Sequence, residues 1–311
     1  MRSIWQYFKD YIGEQHPVHL LVVLAYTAVA IVLNYRYDIE NGIIDRHHGT
    51  LKHLYLYFLL YAAAMVPAYL SYAYSREGRK MLSDIRLWIR IFLALLIFCI
   101  YCYFYQYREW ISPFFDSYAV KTIIRICADQ VFQSTLMFLL IVLFWWFSDR
   151  KERPLYGFKV KGVNMRPYLW MMAGMVPLII AASFSTDFQN YYPTARRIVN
   201  LCTESMPTWA YVTLYEICYG SEFFHIEFFF RGFLILAFVR YAGSKAILPA
   251  AVFYCFVHFG KPAGECISSL FGGIILGVLS YRTRSIAAGV LVHLGIAMLM
   301  ELVAGIWMLY K

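Results

Sequence analysis

The sequence predicts an all-α, polytopic transmembrane helical bundle, and three observations support this fold class. Hydrophobic residues make up 61% of the 311 residues and charged residues only 15%, whereas soluble domains are roughly half apolar and a quarter charged. The apolar residues form continuous runs about as long as the ~20 residues that a spanning helix needs. These runs do not alternate with polar residues, which argues against a transmembrane β-barrel.

Nine apolar runs predict about eight or nine transmembrane helices. The fifth run is short and contains Pro177, and the sixth is long with an interfacial start, so eight is the alternative count. The runs cover residues 18–35, 53–74, 87–106, 130–148, 168–184, 208–240, 245–260, 264–281 and 285–309. The first run follows a mixed polar stretch without a small-residue cleavage site, so we expect it to stay as a membrane anchor.

The net charge of +9 has two interpretations, a nucleic-acid surface or the excess of Lys and Arg found in cytoplasmic loops. The second fits better because the basic residues concentrate in two loops that are two crossings apart, whereas the loop at 36–52 mixes both signs. The two basic loops contain Arg76, Arg79, Lys80, Arg86, Arg150, Lys151, Arg153, Lys159, Lys161 and Arg166. We therefore expect an integral membrane protein with a cytoplasmic N-terminus, an external C-terminus and no nucleic-acid partner. The short loops of a compact chain suggest a bacterial inner membrane.

Cys99 and Cys102 form a Cys-x-x-Cys pair, a spacing that occurs in redox sites. Both lie inside an apolar run, where buried cysteines are ordinary packing residues, and we favour that interpretation. The sequence contains no second Cys-x-x-Cys pair, so a structural zinc site is not indicated.

Ionisable residues concentrate in the last four apolar runs, and such residues inside a membrane are costly and usually functional. They are Glu216, Glu222, His225, Glu227, Arg231, His258, Lys261, Glu265, His293 and Glu301. His225 faces away from Glu227 at ~100° per residue, so we do not assign it to the site. At ~1.5 Å per residue from the cytoplasmic helix ends, Glu227 and His258 lie about 20 Å deep, and Glu265 about 25 Å. His293 lies roughly 14 Å deep by the same count. Glu227 and Arg231 are four residues apart, so they share one helical face and can form an ion pair.

Three short strings at these positions resemble the motifs of the CPBP family of intramembrane proteases. Residues 226–233 read Ile-Glu-Phe-Phe-Phe-Arg-Gly-Phe, 254–258 read Tyr-Cys-Phe-Val-His, and 293–297 read His-Leu-Gly-Ile-Ala. The family pattern is Glu-Glu-x-x-x-Arg, Phe-x-x-x-His and His-x-x-x-Asn on successive helices. The family includes CAAX prenyl endopeptidases and bacteriocin-processing or self-immunity (Abi-like) proteins. The resemblance covers about residues 205–305.

The resemblance implies an endopeptidase site whose residues match in part. In the family, the first glutamate and the second-motif histidine activate water, while the third-motif histidine and asparagine hold the oxyanion. Two of these positions differ, because Ile226 replaces the first glutamate and Ala297 replaces the asparagine. The matched residues are Glu227, Arg231, His258 and His293. We divide the chain into N-terminal transmembrane helices, 1–166, and a C-terminal core that carries the motifs, 167–311.

Three other carboxylates are candidates for the missing acid. Glu222 lies one helical turn before Ile226, and Glu301 lies one turn beyond Ala297. Glu265 follows a Gly-Lys-Pro turn after His258 that would direct it back toward the histidine, and it is the favoured candidate. The prediction requires no metal or cofactor, with zinc held by the two histidines and a glutamate as the alternative.

Three classes of function remain open from the sequence. The first is an intramembrane endopeptidase that cleaves membrane-embedded or lipidated peptides or proteins with a water activated by histidine and a carboxylate. The second is a catalytically degenerate relative that binds a peptide or a partner membrane protein, as in immunity or scaffolding. The third is a transporter with a relay of buried charges. Many transporters contain an inverted repeat, and the sequence shows none, which argues against this class.

Overall fold

The computed structural model of this protein describes residues 4–151, 154–158, 164–204 and 206–309, and this part of the chain is helical without a strand. The all-α class is therefore confirmed. The α-helices are α1 (Ile4–Glu14), α2 (Pro17–Tyr37), α3 (Leu51–Leu70), α4 (Arg76–Leu82), α5 (Ile85–Tyr103), α6 (Tyr107–Ile111), α7 (Tyr118–Ser148), α8 (Arg166–Ala182), α9 (Thr186–Tyr191), α10 (Arg196–Val199), α11 (Thr208–Glu227), α12 (Val239–Ala242), α13 (Ile247–Phe256), α14 (Ala263–Thr283) and α15 (Ala287–Leu309). A π-helical segment, Phe228–Ala237, continues α11 without a break.

Six helices in the described part of the chain are long and apolar enough to cross a membrane. They are Pro17–Tyr37, Leu51–Tyr74, Ile85–Phe114, Tyr118–Ser148, Ala263–Thr283 and Ala287–Met308. The other three predicted runs are also helical, but each differs from a standard span. Helix α8 has only 17 residues, α11 carries three glutamates, and all ten residues of α13 are buried in protein. Among the described residues, the six standard spans and the three further apolar helical segments are thus roughly consistent with the predicted eight or nine helices.

Polar residues at the helix starts explain where several of the spans begin. The Thr50 side chain accepts a hydrogen bond from the His53 N–H at the start of α3, and Asp84 accepts one from Arg86 at the start of α5. Ser117 does the same for Val120 at the start of α7. These side chains satisfy backbone donors that have no partner within the helix.

Helix α13 is the centre of the hydrophobic core. The Phe253 ring on α13 lies 4.9 Å from Tyr61 of α3, 5.2 Å from Phe98 of α5 and 5.5 Å from Phe230 of the π-helical segment, measured between ring centroids. Aromatic rings at these separations pack favourably. Side chains from both sides of residue 166 therefore share one core, while the division of the chain at that residue stays a prediction.

Charged contacts bring several basic segments to one end of the bundle. Lys245 Nζ lies 3.3 Å from Glu77 Oε2, and Arg282 donates to Glu14 at 2.9 Å. Ser244, next to Lys245, also donates a hydrogen bond to Glu14. The 75–90 loop thus lies at the same end as the residues that follow the π-helical segment and the end of α14. Of the residues used to predict topology, Arg153, Lys159, Lys161 and Lys311 lie outside the described residues.

Candidate active site

The first motif forms a buried ion pair where α11 continues into the π-helical segment. Arg231 Nη1 lies 2.9 Å from Glu227 Oε1, and the two side chains are 1% and 0% exposed. The two charged groups are in contact, but neither Nη1 nor Nη2 of Arg231 forms a hydrogen bond with good geometry. Helix α15 makes room for the carboxylate with Gly289, where a Cβ atom would lie 2.3 Å from Glu227 Oε2. Opposite charge is what allows two such groups to be buried together.

The third-motif histidine joins this ion pair from α15. His293 Nδ1 lies 2.9 Å from Glu227 Oε1, and we assign the proton to Nδ1 because an ionised carboxylate only accepts hydrogen bonds. The other ring nitrogen, Nε2, lies 2.9 Å from the hydroxyl of Tyr254 on α13. With Nδ1 protonated, Nε2 is the acceptor and Tyr254 donates. Glu227, His293 and Tyr254 thus form a chain of hydrogen bonds across three segments.

The second-motif histidine lies just beyond the end of α13. His258 Nδ1 lies 2.7 Å from the Tyr254 carbonyl oxygen, which only accepts, so this nitrogen carries the proton. The Nε2 lone pair of His258 is therefore free to accept a proton. The Tyr254 ring lies 4.5 Å from the His258 ring, and the Arg231 guanidinium lies 4.4 Å from the Tyr254 ring centroid. Tyr254 is thus the residue that both motif histidines and the motif arginine contact.

Glu265, the favoured candidate for the missing acid, lies in the first turn of α14. Its Oε2 accepts a hydrogen bond from the Tyr192 hydroxyl at 2.8 Å, and its Oε1 lies 3.5 Å from Lys261 Nζ. Lys261 also lies 4.9 Å from the centre of the Tyr191 ring. Glu265 is not hydrogen-bonded to His258 in the described structure. Its negative charge favours a positive charge on the His258 ring, whereas the nearby Lys261 ammonium opposes it.

The two other candidate carboxylates have partners away from the motif histidines. Glu222 accepts a hydrogen bond from the Tyr101 hydroxyl of α5. Glu301 accepts from the Thr194 backbone N–H at 2.9 Å, from its hydroxyl at 2.7 Å, and from the Ala195 N–H at 3.3 Å. Three such bonds anchor the segment before α10, so the geometry of Glu301 indicates a structural role.

The two positions that depart from the family pattern bring no polar side-chain atom to the site. Ala297 is 5% exposed and packs in an apolar cluster with Tyr219 and Phe223. Ile226 packs against the main hydrophobic core. Among the described residues, no group of three His, Cys, Asp or Glu side chains is arranged to hold a metal ion.

Sequence reasoning missed four residues that shape the site. Tyr254 stands where the family pattern has phenylalanine, and its hydroxyl is hydrogen-bonded to His293. The Tyr192 hydroxyl donates to Glu265. Helix α2 fixes the backbone after His258, because the Asn34 amide donates to the Phe259 carbonyl at 2.9 Å. The Tyr35 hydroxyl donates to the Lys261 carbonyl, two residues further along the chain, at 2.7 Å. An amide inside an apolar run was the available signal for Asn34.

A comparison with known protein families gave a match in the segment that contains the three motif strings. Residues 221–299 match a family model described as "Type II CAAX prenyl endopeptidase Rce1-like". This match supports membership of the CPBP family. All three CPBP-like strings of the chain, at 226–233, 254–258 and 293–297, fall inside the matched residues. Searches of curated proteins and of solved structures gave no match.

Proposed function

We propose that this protein is an intramembrane endopeptidase of the CAAX prenyl endopeptidase type, which hydrolyses a peptide bond in a membrane-embedded or lipidated peptide or protein. One observation carries the proposal. His293 bridges Glu227 and Tyr254, and His258 packs on the same tyrosine. His258, which has one ring nitrogen fixed by a hydrogen bond, is suited to acid–base chemistry on a substrate bound beside it.

His258 is the proposed general base. Its Nδ1–H is fixed on a carbonyl oxygen at 2.7 Å, so Nε2 takes a proton from water while the water oxygen bonds to the carbonyl carbon of the peptide. The π electrons of that carbonyl move to its oxygen. When the C–N bond breaks, the His258 imidazolium returns the proton to the leaving amine. The negative charge of Glu265 stabilises that imidazolium. Glu265 therefore contributes to the proposed reaction through its charge, without a hydrogen bond to His258.

Glu227 and Arg231 hold the oxyanion side of the proposed site. The carboxylate of Glu227 receives the Nδ1–H of His293 and so fixes the orientation of the imidazole ring. Arg231 balances the charge of Glu227 in a place from which water is excluded. A fixed positive charge such as Arg231 stabilises the negative charge that develops in the tetrahedral intermediate.

The proposal is tested by a proteolysis assay with purified protein in detergent or nanodiscs and a panel of prenylated and acylated peptides. We expect wild-type cleavage that survives EDTA and phenanthroline, and a loss of about 100-fold to 10,000-fold in His258→Ala, the scale of a general base. His225→Ala is the matched control, because His225 is a half-buried histidine bonded to its own helix at the Ser221 carbonyl. Equal rates for the two histidine variants would contradict the mechanism.

A binding protein without catalysis is the second candidate, and the apolar residues Ile226 and Ala297 favour it. Such a protein would hold a peptide or a partner membrane protein in the same site. The same peptide panel separates the two functions, because the binding protein would show saturable binding of a lipidated peptide and no product at any enzyme concentration.

The proposed localisation is a bacterial inner membrane, with the N-terminus in the cytoplasm and the C-terminus outside. Its support is the concentration of Lys and Arg in the loops at 75–90 and 149–166. In this proposal the protein is embedded in the lipid bilayer, and lipidated substrates are anchored in the same bilayer.

A further inference from the structure

A single tyrosine hydroxyl lies where the three motif segments meet. Tyr254 is 6% exposed, its hydroxyl lies 2.9 Å from His293 Nε2, and its ring contacts both His258 and Arg231. We propose that Tyr254 is a catalytic residue whose O–H donates a hydrogen bond to the oxyanion of the tetrahedral intermediate. This inference rests on the proposed endopeptidase function. It names a donor that the family pattern does not contain, because that pattern has phenylalanine at this position.

The donors already in the site leave this role open. Neutral His293 uses its Nδ1–H on Glu227 and its Nε2 lone pair on Tyr254, so it has no further N–H for an oxyanion. His258 uses its Nδ1–H on a backbone carbonyl. Ala297, one turn beyond His293 on α15, has only a methyl group, which packs in an apolar cluster. Arg231 is 1% exposed and lies beside Glu227 and the Tyr254 ring, so its N–H groups are buried among those partners. The Tyr254 hydroxyl, bonded to His293, is the donor that we assign to the oxyanion.

The Arg231 cation favours negative charge on the Tyr254 oxygen, whereas burial and the Glu227 carboxylate oppose it. The Arg231 guanidinium lies over the ring at 4.4 Å from its centroid, and a cation at that position stabilises the charge that a strongly donating phenol acquires. Arg231 is 1% exposed, so water screens this interaction little.

The hydrogen bond to His293 prepares the hydroxyl for the reaction. In the resting site, the O–H points to a neutral imidazole nitrogen and is held at one position between α13 and α15. An oxyanion is a charged acceptor, and hydrogen bonds to ionised groups are roughly twice as strong as those between neutral groups. The O–H therefore turns from His293 to the oxyanion as charge develops, with a change in one torsion and no backbone movement.

Tyr254→Phe removes only this O–H and tests the inference. We expect kcat to fall by about 100-fold to 1,000-fold, the usual effect of losing one oxyanion donor, while KM changes less than about 3-fold. Tyr72→Phe is the control, since Tyr72 is also a buried tyrosine and its hydroxyl donates to Gln15 at 3.1 Å. A Tyr254→Phe enzyme with wild-type kcat would overturn the inference and leave the endopeptidase function intact.

Binding of a peptide phosphonate gives a second measurement that needs no turnover. Its tetrahedral anionic oxygen resembles the oxyanion, and groups that act in the transition state bind such analogues more strongly than substrates. We expect Tyr254→Phe to weaken phosphonate binding by at least about 30-fold and to leave binding of the uncleaved lipidated peptide unchanged. If wild type cleaves nothing, the proposed function fails. Equal phosphonate affinity in wild type and Tyr254→Phe would refute the role of the tyrosine, whatever the result of the cleavage assay.

Discussion

Neutralising Glu227 should cost this protein both stability and activity. Glu227 Oε1 lies 2.9 Å from Arg231 Nη1 and 2.9 Å from His293 Nδ1, and both members of the ion pair are almost completely buried. In Glu227→Gln, the Arg231 cation keeps its burial and loses its counter-charge. Breaking a buried pair from one side usually costs about 3–5 kcal/mol, and the change also removes the acceptor that orients His293.

The expected stability change is measured by thermal or denaturant unfolding of the purified protein in detergent. Glu77→Gln is the matched control, because Glu77 also pairs with a basic residue, Lys245 at 3.3 Å, but its side chain is 86% exposed. Exposed ion pairs contribute about 0–1 kcal/mol. The double variant Glu227→Gln, Arg231→Met removes both charges and should regain most of the stability without regaining activity.

Two results would refute this reasoning. A Glu227→Gln variant as stable as Glu77→Gln would mean that Arg231 is not dependent on Glu227 for its charge balance. A double variant less stable than Glu227→Gln would mean that the contact of Arg231 with the Tyr254 ring, and not its charge balance, dominates. In either case the ion pair would lose its assigned role of holding the first motif and the His293 ring.

The remaining predictions concern pH and topology. Burial, followed by the nearby charge of Asp45, raises the pKa of Glu40 from its ordinary value of 4.5 to about 8. Because the folded state holds this proton more tightly, Glu40 should lower the unfolding free energy as pH rises from about 4.5 to about 8. Glu40→Gln should therefore gain stability relative to wild type at pH 9 compared with pH 5, and a difference that is independent of pH would contradict the assignment. A cysteine at Leu155, in a protein otherwise free of reactive external thiols, should resist membrane-impermeant maleimide added to intact cells and react after lysis. Labelling from outside would reverse the proposed orientation.

The sequence by itself determined the fold class and most of the participants in the site. Continuous apolar runs leave helices as the way for the backbone to satisfy its hydrogen bonds in lipid, so the all-α class followed from composition. The cost of a buried charge marked Glu227, Arg231, His258 and His293, and the i, i+4 spacing predicted the Glu227–Arg231 ion pair that the structure contains. These inferences needed only distances along the chain and the properties of the bilayer.

Only the tertiary structure decided which groups touch each other across helices. The sequence placed Glu265 behind a turn aimed at His258, but the rotation of α14 directs its carboxylate to Tyr192, a residue 73 positions away in the chain. The sequence gives no indication that Tyr254 has a polar partner, and only the packing of α15 against α13 places His293 Nε2 2.9 Å from its hydroxyl. Asn34 lies 225 positions before the carbonyl that it holds. Helix rotation and packing are set by the whole core, which is centred on α13, and local sequence spacing carries no information about that rotation.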